Sequence, residues 1–293
     1  MSSTIFGFAR YPASSGDLTL EGAILPDRTP KNNEPGLVIR PFPRAETGFD
    51  PSKRPCLIAP RYTLGITTMV KFVVEYGRDT DPPAADGRLD GPTFHRNHDP
   101  IWSAVSDFLS TQTGNVLEIG SGTGQHVTEF ARRSKHLSWW PSDIYDSHLK
   151  SIAAWREHSR LENLNAPQRI DLLDPDWTWT GGDGRPLAAM LCINVLHISP
   201  WSVSRNLLSG AGRLLKEDGR LFVYGPFKRN GSHTAPSNAQ FDTTLRAQNP
   251  EWGVRDVGDL NELVQESGLA PAIITQMPAN NLVLAFARAL RHN

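Results

Sequence analysis

The chain has 293 residues, of which 39% are hydrophobic and 21% are charged, so it can bury a sizeable core. Its 30 basic residues are balanced by 31 acidic ones, which argues against a nucleic-acid-binding protein that relies on a positively charged face. Cys56 and Cys192 are its only cysteines and have no metal-ligand spacing, so the sequence predicts neither a disulfide framework nor a metal site.

Residues 1–92 differ in composition from the rest of the chain. They hold twelve of the 23 prolines and none of the eight tryptophans, and "PDRTPKNNEPG" and "DTDPPAADGRLDGP" are typical of turns or linkers. We expect a Pro-rich extension that either packs on the main domain, stays partly disordered, or serves as a lid or dimerisation arm. The first twenty residues lack the pattern of a signal peptide, and no window approaches ~18 consecutive apolar residues, so we expect a cytoplasmic protein without membrane contact.

From residue 93 onward, strand and helix patterns alternate, so residues 93–293 are predicted to form one domain. In chain order the pattern predicts the strand "NVLEIG", a helix over Gln125–Arg133, the strand "LSWWPSD", a helix around His148–Ser159 and the strand "LAAMLCINVLHI". Next come a helix with Ser199 as N-cap, Pro200 first and Gly219 beyond its end, the strand "RLFVYGPF", the helix "LNELVQESG", and two strands joined by "PANN". This alternation predicts an α/β fold with a mostly parallel sheet and a final antiparallel hairpin.

The stretch "EIGSGTG", residues 118–124, follows the first strand of this alternation. Ligands of open α/β sheets bind beyond the carboxyl ends of the strands, and Gly120 and Gly122 let the backbone come close to a ligand. The spacing is G-x-G-x-G and not the G-x-G-x-x-G of dinucleotide-binding proteins. Asp143 ends the next strand, nineteen residues after Gly124. An acid at this position can accept hydrogen bonds from both hydroxyls of a ribose.

The segment "VLEIGSGTGQH" resembles motif I of the class I S-adenosylmethionine-dependent methyltransferases. The resemblance extends to the methyltransferase-like protein 26 group, formerly a domain of unknown function, and covers about two thirds of the chain. Its further segments are "RNHDPI", "WWPSD", "SIAAW", "LCINVLHISPW", "LFVYGPFKRNGSHTAPSNAQFD", "LRAQNPEWGVRD" and "MPANNL". It implies a Rossmann-like class I methyltransferase fold with a seven-stranded sheet, and S-adenosylmethionine as the cofactor. The first ninety residues depart from the group, whose members typically begin close to "RNHDPI".

The resemblance also implies a cofactor site. Its residues would be Arg96, Asn97, Glu118, Gly120, Ser121, Gly122, Asp143, Asp171, Leu172 and Asn194. The loop would surround the methionine part, Asp143 would hold the ribose, Asp171 and Leu172 the adenine, and Asn194 would lie beside the sulfonium. Arg96 and Asn97 would contact the carboxylate, or form a surface salt bridge instead. Without a ligand, the loop would be an ordinary strand-to-helix turn, Asp143 an N-cap and Asp171 a solvated acid.

The segment "GPFKRNGSHTAPSNAQFD" is long and polar, so we expect a loop that shapes the acceptor site, the alternative being a solvated loop. The candidate acceptor-binding residues are Trp201, Tyr224, Lys228, Arg229, Asn238 and Arg255. These side chains suit a small acceptor that is polar or anionic. For a hydroxyl acceptor, the candidate catalytic bases are His197 and His233.

With these candidate residues, the resemblance implies methyl transfer from S-adenosylmethionine to a small acceptor by in-line displacement. One alternative is a protein that binds S-adenosylmethionine without transferring methyl. Another is a nicotinamide-dependent oxidoreductase, which the glycine spacing disfavours. We expect a small-molecule substrate, no nucleic-acid partner, and a monomer or homodimer.

Overall fold

The computed structural model describes residues 84–182 and 184–289. The prediction of an appendage, lid or dimerisation arm therefore falls almost entirely outside the described residues. Within the part that is described, no helix is long and apolar enough to cross a membrane.

The described residues form one mixed sheet in which seven strands follow the order β3-β2-β1-β4-β5-β9-β8. The strands are β1 Gly114–Ile119, β2 Leu137–Asp143, β3 Gln168–Arg169, β4 Leu187–Ile193, β5 Leu215–Arg229, β6 Ser232–His233, β7 Arg255–Asp256, β8 Ile273–Gln276 and β9 Asn281–Ala287. β1 to β5 run parallel, whereas β9 runs antiparallel to both β5 and β8. The short β6 and β7 pair with the far end of β5. The predicted sheet and its antiparallel terminal hairpin are confirmed.

Helices cover both faces of this sheet. They are α1 Pro92–Ser110, α2 Gln125–Arg133, α3 Asp146–Ser159, α4 Trp201–Leu214, α5 Pro236–Gln248 and α6 Val257–Ser267. The side chains of β1 alternate between the two faces, so that Val116 packs in one core cluster with α1 and α2, and Leu117 packs in the other with α4 and α6. The apolar run of β4 is buried along almost its whole length, as expected for a central parallel strand.

The start of α4 differs from the prediction. The helix begins at Trp201 with Pro200 at the N-cap, and the hydroxyl of Ser199 donates to the carbonyl of Leu196 instead of capping the helix. Gly219 does not end the helix, because α4 ends at Leu214 and Gly219 lies inside β5, which begins at Leu215. The prediction of Ser199 as N-cap was wrong because proline can itself occupy the extended conformation of an N-cap.

The predicted long loop after the fifth strand is also wrong. β5 continues to Arg229, turns through Asn230 and Gly231 with φ of 53° and 77°, and pairs with β6. α5 then begins at Pro236. Asn-Gly between two strands is a strong hairpin signal, and proline is favoured in the first turn of a helix, so the sequence contained both cues.

Candidate functional site

The carboxyl ends of β1, β2, β4 and β5 meet at one edge of the sheet, and most of the predicted cofactor residues follow these strands. Residues 120–124 connect β1 to α2, Asp143 ends β2, and Asn194 follows β4. The amino end of the antiparallel β9 lies at the same edge, because Asn281 pairs with Pro226 of β5. The sheet order thus gathers residues from distant parts of the sequence around the glycine loop.

The three loop glycines are required for different reasons. Gly120, Gly122 and Gly124 all have positive φ, of 67°, 56° and 91°. A methyl group placed on Gly120 would lie 2.6 Å from Cγ2 of Val195, and one on Gly124 would lie 2.9 Å from Cα of Ile152. A methyl group on Gly122 would meet no atom within 4 Å. Of the three, only Gly122 has a backbone that stays open to a ligand.

The carboxylate of Asp143 fixes this open glycine. Its Oδ2 accepts from the backbone N–H of Gly122 at 2.9 Å, and its Oδ1 accepts from the N–H groups of Ile144 and Tyr145 at 2.8 and 3.0 Å. Nδ1 of His148 lies 3.1 Å from the same Oδ1. Tyr145, and not Asp143, is the N-cap of α3. Because a carboxylate oxygen offers two lone pairs and Oδ1 already meets three groups, the carboxylate keeps capacity for one further donor on Oδ2, which suits one ribose hydroxyl and not the two that were expected.

Glu118 is a second buried acid beside the loop. It is 1% exposed, and its Oε2 has no hydrogen-bond partner within the described parts of the chain. Burial raises the pKa of Glu118 to about 7; a hydrogen bond from Ser121 opposes this shift, and the charge of Asp143 adds to it. A buried acid of this kind is stabilised by a donor, and most strongly by a cation.

Asp171 and Leu172 lie on the far side of Asp143, after β3. The N–H of Leu173 donates to Oδ1 of Asp171 at 2.9 Å, and the carbonyl of Leu172 accepts from Nδ2 of Asn206 at 2.8 Å. Asp171 is half-buried, whereas the side chain of Leu172 belongs to the core. Both residues are therefore on the β2–β3 side of the loop, where the predicted adenine contacts would have to be made.

A polar group that we call the Tyr224 cluster comprises Arg96, Asn97, His126, Tyr224 and Asn281. Nδ2 of Asn281 donates to the hydroxyl of Tyr224 at 2.9 Å, and Nε2 of His126 lies 2.7 Å from Oδ1 of Asn97. Burial lowers the pKa of His126 to about 3, so this imidazole is neutral. Burial raises the pKa of Tyr224, against hydrogen bonds from Asn281 and Asn97 and the charge of Arg96. The cluster joins two predicted cofactor residues to one predicted acceptor residue.

His197 lies in a short 3-10 helix after β4, close to Asn194. A methyl group on Gly225 would lie 3.4 Å from Nδ1 of His197 and 3.7 Å from Oδ1 of Asn194. The imidazole is buried and stands edge-on to Phe241 of α5, with 5.4 Å between the ring centroids. Burial lowers the pKa of His197 to about 4, and the charge of Arg255 acts in the same direction. The ring is therefore neutral at physiological pH.

Lys228 and His233 contact a carboxylate that the sequence had not singled out, that of Asp242. Nζ of Lys228 and Nε2 of His233 lie 3.0 and 3.3 Å from its Oδ2, and Nε of Arg246 lies 3.2 Å from its Oδ1. The N–H of Val254 donates to the same Oδ1 at 2.7 Å. Burial acts to raise the pKa of Asp242, but Lys228 and Val254 together hold it below its usual value. This Asp242 cluster ties α5 to the β5–β6 hairpin.

Arg255 is already bonded to the backbone. Its guanidinium donates to the carbonyls of Leu196, Ser199 and Glu251, and it lies 5.7 Å from the centre of the Trp201 ring. Burial lowers the pKa of Arg255. The observed contacts brace the chain around the 3-10 helix, and a contact of Arg255 or Trp201 with substrate stays a prediction.

The remaining predicted acceptor residues are dispersed. Arg229 is exposed at the end of β5. Asn238 is buried in α5, and its Nδ2 donates to Oγ1 of Thr234 and to the carbonyl of Asn280, both at 3.0 Å. Asn238 therefore connects α5 to the turn before β9, whereas Arg229 stays at the surface, away from the other candidate acceptor residues.

Gln125 is a residue of the site that the sequence reasoning missed. Its Oε1 accepts from the N–H of Gly91 at 2.7 Å and from Oγ1 of Thr123 at 3.0 Å, and its Nε2 donates to Oδ1 of Asp90 at 2.7 Å. The amide thus joins the glycine loop to the chain before α1. The sequence did offer a hint for Gln125, because it directly follows Gly124, the last glycine of the loop. His126 and Asn281 lie in motifs quoted above, but nothing in the sequence indicates their contacts.

Residues 90–288, more than half of the chain, match a family described as "Protein of unknown function (DUF938)".

Solved structures share the fold. An O-methyltransferase family protein from Burkholderia thailandensis has a TM-score of 0.57 at 16% identity over 68% of this chain and 58% of its own. The mitomycin 7-O-methyltransferase MmcR has a TM-score of 0.57 at 17% identity, with coverages of 68% and 55%. The S-adenosylmethionine-dependent methyltransferase SibL has a TM-score of 0.54 at 19% identity, over 68% of this chain and 56% of its own. The chain spans somewhat more than half the length of these proteins, and at such identities the likeness shows the fold alone, a Rossmann-like methyltransferase fold.

Proposed function

The chain belongs to the DUF938 family, and we propose that it is a methyltransferase that moves a methyl group from S-adenosylmethionine to a small polar acceptor. The names of two proteins with the same fold, an S-adenosylmethionine-dependent methyltransferase and a 7-O-methyltransferase, support this cofactor and this reaction. The stronger support comes from the glycine loop itself.

The observation that carries the proposal is a pair of buried acids beside an open backbone. Oε2 of Glu118 has no hydrogen-bond partner in the described residues, Oδ2 of Asp143 keeps a lone pair, and the backbone of Gly122 between them is uncovered. The ammonium and ribose hydroxyls of S-adenosylmethionine would meet these needs. The pyrophosphate of a nicotinamide dinucleotide would instead bring negative charge towards two carboxylates, which disfavours the oxidoreductase alternative.

The residues divide the work of binding and orientation. When bound, S-adenosylmethionine supplies a methyl group on a positively charged sulfur, a leaving group that needs no proton. Glu118 would hold the ammonium, Asp143 a ribose hydroxyl, and Asp171 with Leu172 the adenine, while Asn194 would lie beside the sulfur. Alignment of an acceptor with the methyl group can lower the barrier by about 7–11 kcal/mol.

His197 is the proposed base if the acceptor is a hydroxyl. Its neutral imidazole lies near Asn194 and can take a proton, although a pKa of about 4 makes it a weak base. His233 is the weaker candidate because its Nε2 already lies against Asp242. Unchanged turnover in His197→Ala and in His233→Ala would remove both roles.

Calorimetry on the full-length protein tests the proposal. We expect S-adenosylmethionine and S-adenosylhomocysteine to bind and NADH not to bind, and we expect Glu118→Ala to weaken both nucleosides. Absence of binding by folded protein would refute the proposal.

Two finer points belong to the proposal. Membership of the methyltransferase-like protein 26 group is supported by the ordered motifs from "RNHDPI" to "MPANNL". A protein that binds S-adenosylmethionine without transferring methyl would give the same calorimetry. Formation of S-adenosylhomocysteine with a panel of small acceptors, followed by mass spectrometry, separates transfer from binding.

A further inference from the structure

We propose that Tyr224 and Arg96 form a carboxylate-binding subsite for the methyl acceptor, so that the acceptor is a small carboxylic acid. This inference rests on the proposed function, and it names the class of substrate at the same edge of the sheet. It is carried by the hydrogen-bond inventory of the Tyr224 cluster.

The hydroxyl of Tyr224 receives hydrogen bonds and makes none within the described chain. Nδ2 of Asn281 donates to it at 2.9 Å. Oδ1 of Asn97 accepts from Nε2 of His126 at 2.7 Å, and the side chain of Asn97 lowers the pKa of Tyr224, as a donor near its hydroxyl does. Because the Tyr224 hydroxyl accepts from Asn281 and donates to no described residue, its phenolic proton is available to a ligand.

The charge around this proton is positive. The guanidinium of Arg96, the residue before Asn97 in α1, brings positive charge that lowers the pKa of Tyr224, and it forms neither an ion pair nor a hydrogen bond with any described residue. The other members, Asn97, His126 and Asn281, carry no charge. A hydroxyl donor and a guanidinium that has no partner among the described residues together suit an anion with more than one acceptor oxygen, and a carboxylate is such an anion.

The location favours the acceptor over the cofactor. Tyr224 and Asn281 belong to β5 and β9, whereas the buried acids that would hold the cofactor belong to β1 and β2. Strand β4 separates the two groups in the sheet order. A carboxylate could still come from either source, the acceptor or the amino-acid end of the cofactor, and the experiment distinguishes them.

The test compares small carboxylates with their neutral amides on the full-length protein saturated with S-adenosylhomocysteine. Acetate, benzoate and phenylacetate would each be titrated beside the matching primary amide, by ligand-observed NMR. We expect each carboxylate that binds to bind more tightly than its amide, and Tyr224→Phe to weaken it by about 10- to 100-fold, the range of a charge-assisted hydrogen bond. Arg96→Gln, an exposed change that should not affect folding, should weaken it several-fold, and the exposed Arg205→Gln on α4 should leave it unchanged.

Three results would overturn the inference. Equal binding of carboxylates and amides, which includes no binding of either, would do so, as would carboxylate binding that survives both Tyr224→Phe and Arg96→Gln. If Tyr224→Phe weakens S-adenosylhomocysteine but not 5′-methylthioadenosine, which lacks the amino-acid end, the subsite belongs to the cofactor. Failure of the proposed function would show separately, as no binding of S-adenosylhomocysteine to the unsubstituted protein before any carboxylate is added.

Discussion

Gly122→Ala should abolish cofactor binding while leaving the ligand-free protein folded. The new methyl group would meet no protein atom within 4 Å, so the only penalty in the free protein is the backbone, which has a φ of 56°. A left-handed conformation costs an alanine about 1–2 kcal/mol. The same methyl group would occupy the space in which the nucleoside has to approach the main chain.

Two further variants, Gly120→Ala and Gly268→Ala, serve as comparisons for Gly122→Ala. At Gly120 the same backbone strain is joined by a contact of 2.6 Å with Val195, and overpacking adds about 1–3 kcal/mol, so we expect a loss of about 2–5 kcal/mol. Gly268 ends α6 with a φ of 67° and also has no atom within 4 Å of the added methyl group. It therefore reproduces the strain of Gly122→Ala away from the loop.

Chemical denaturation with and without S-adenosylhomocysteine measures both effects. A ligand at one hundred times its Kd stabilises a protein by about 2.7 kcal/mol. We expect Gly268→Ala to keep this stabilisation and Gly122→Ala to lose it, although both start from a similar free energy of unfolding. Equal stabilisation of the two variants would show that the open space beside Gly122 is not where the nucleoside binds.

Three further predictions concern buried polar groups. Because the pKa of Glu118 is raised to about 7, its carboxyl binds a proton more tightly in the folded state, and the protein loses stability as pH rises from about 4.5 to 7. Glu118→Gln should therefore stabilise the ligand-free protein at pH 8 by roughly 1–3 kcal/mol. The same substitution should remove the rise in S-adenosylmethionine affinity between pH 6 and 8. Asp242→Asn should cost about 3–5 kcal/mol in urea denaturation, against less than about 1 kcal/mol for the exposed Asp218→Asn. Gln125→Ala should raise the KM for S-adenosylmethionine with little change in kcat, and Gln125→Glu, which repels Asp90, should not restore it.

Each of these three predictions would be contradicted by a specific result. A pH-independent affinity in the unsubstituted protein would mean that Glu118 does not meet the ammonium. Equal losses for the two aspartate variants would mean that the Asp242 cluster does not join α5 to the hairpin. A fall in kcat alone for Gln125→Ala would place this residue in the chemical step and not in the support of the loop.

The elements that the sequence predicted well are those set by local pattern. α2 spans Gln125–Arg133 and β2 spans Leu137–Asp143 as predicted, because each combines a regular apolar period with a clear boundary. The sequence analysis predicts a loop after β5 and not the observed hairpin, because the polarity of the segment favours a loop, although the Asn-Gly turn favours a hairpin. Local chemistry at the turn outweighed average composition.

The Tyr224 cluster could not be predicted in the same way. Asn97, His126, Tyr224 and Asn281 come from α1, α2, β5 and β9, and their meeting depends on the order of strands in the sheet. Tyr224 lies in the apolar strand pattern "RLFVYGPF", but Asn97, His126 and Asn281 carry no local pattern that distinguishes them from surface residues. Arg96 and Asn97 were assigned to the cofactor by resemblance, and only the packing of α1 connects them to Tyr224.

The glycine loop illustrates why a motif has to be interpreted position by position. All three loop glycines have positive φ, yet contacts with Val195 and Ile152 already explain why Gly120 and Gly124 are glycine, without any ligand. A match to "GSGTG" would therefore survive in a protein that had lost its cofactor. A bound nucleoside would account for Gly122, which no described residue covers, and for Glu118, whose Oε2 has no hydrogen-bond partner in the described residues, while Asp143 beside them keeps a lone pair on Oδ2.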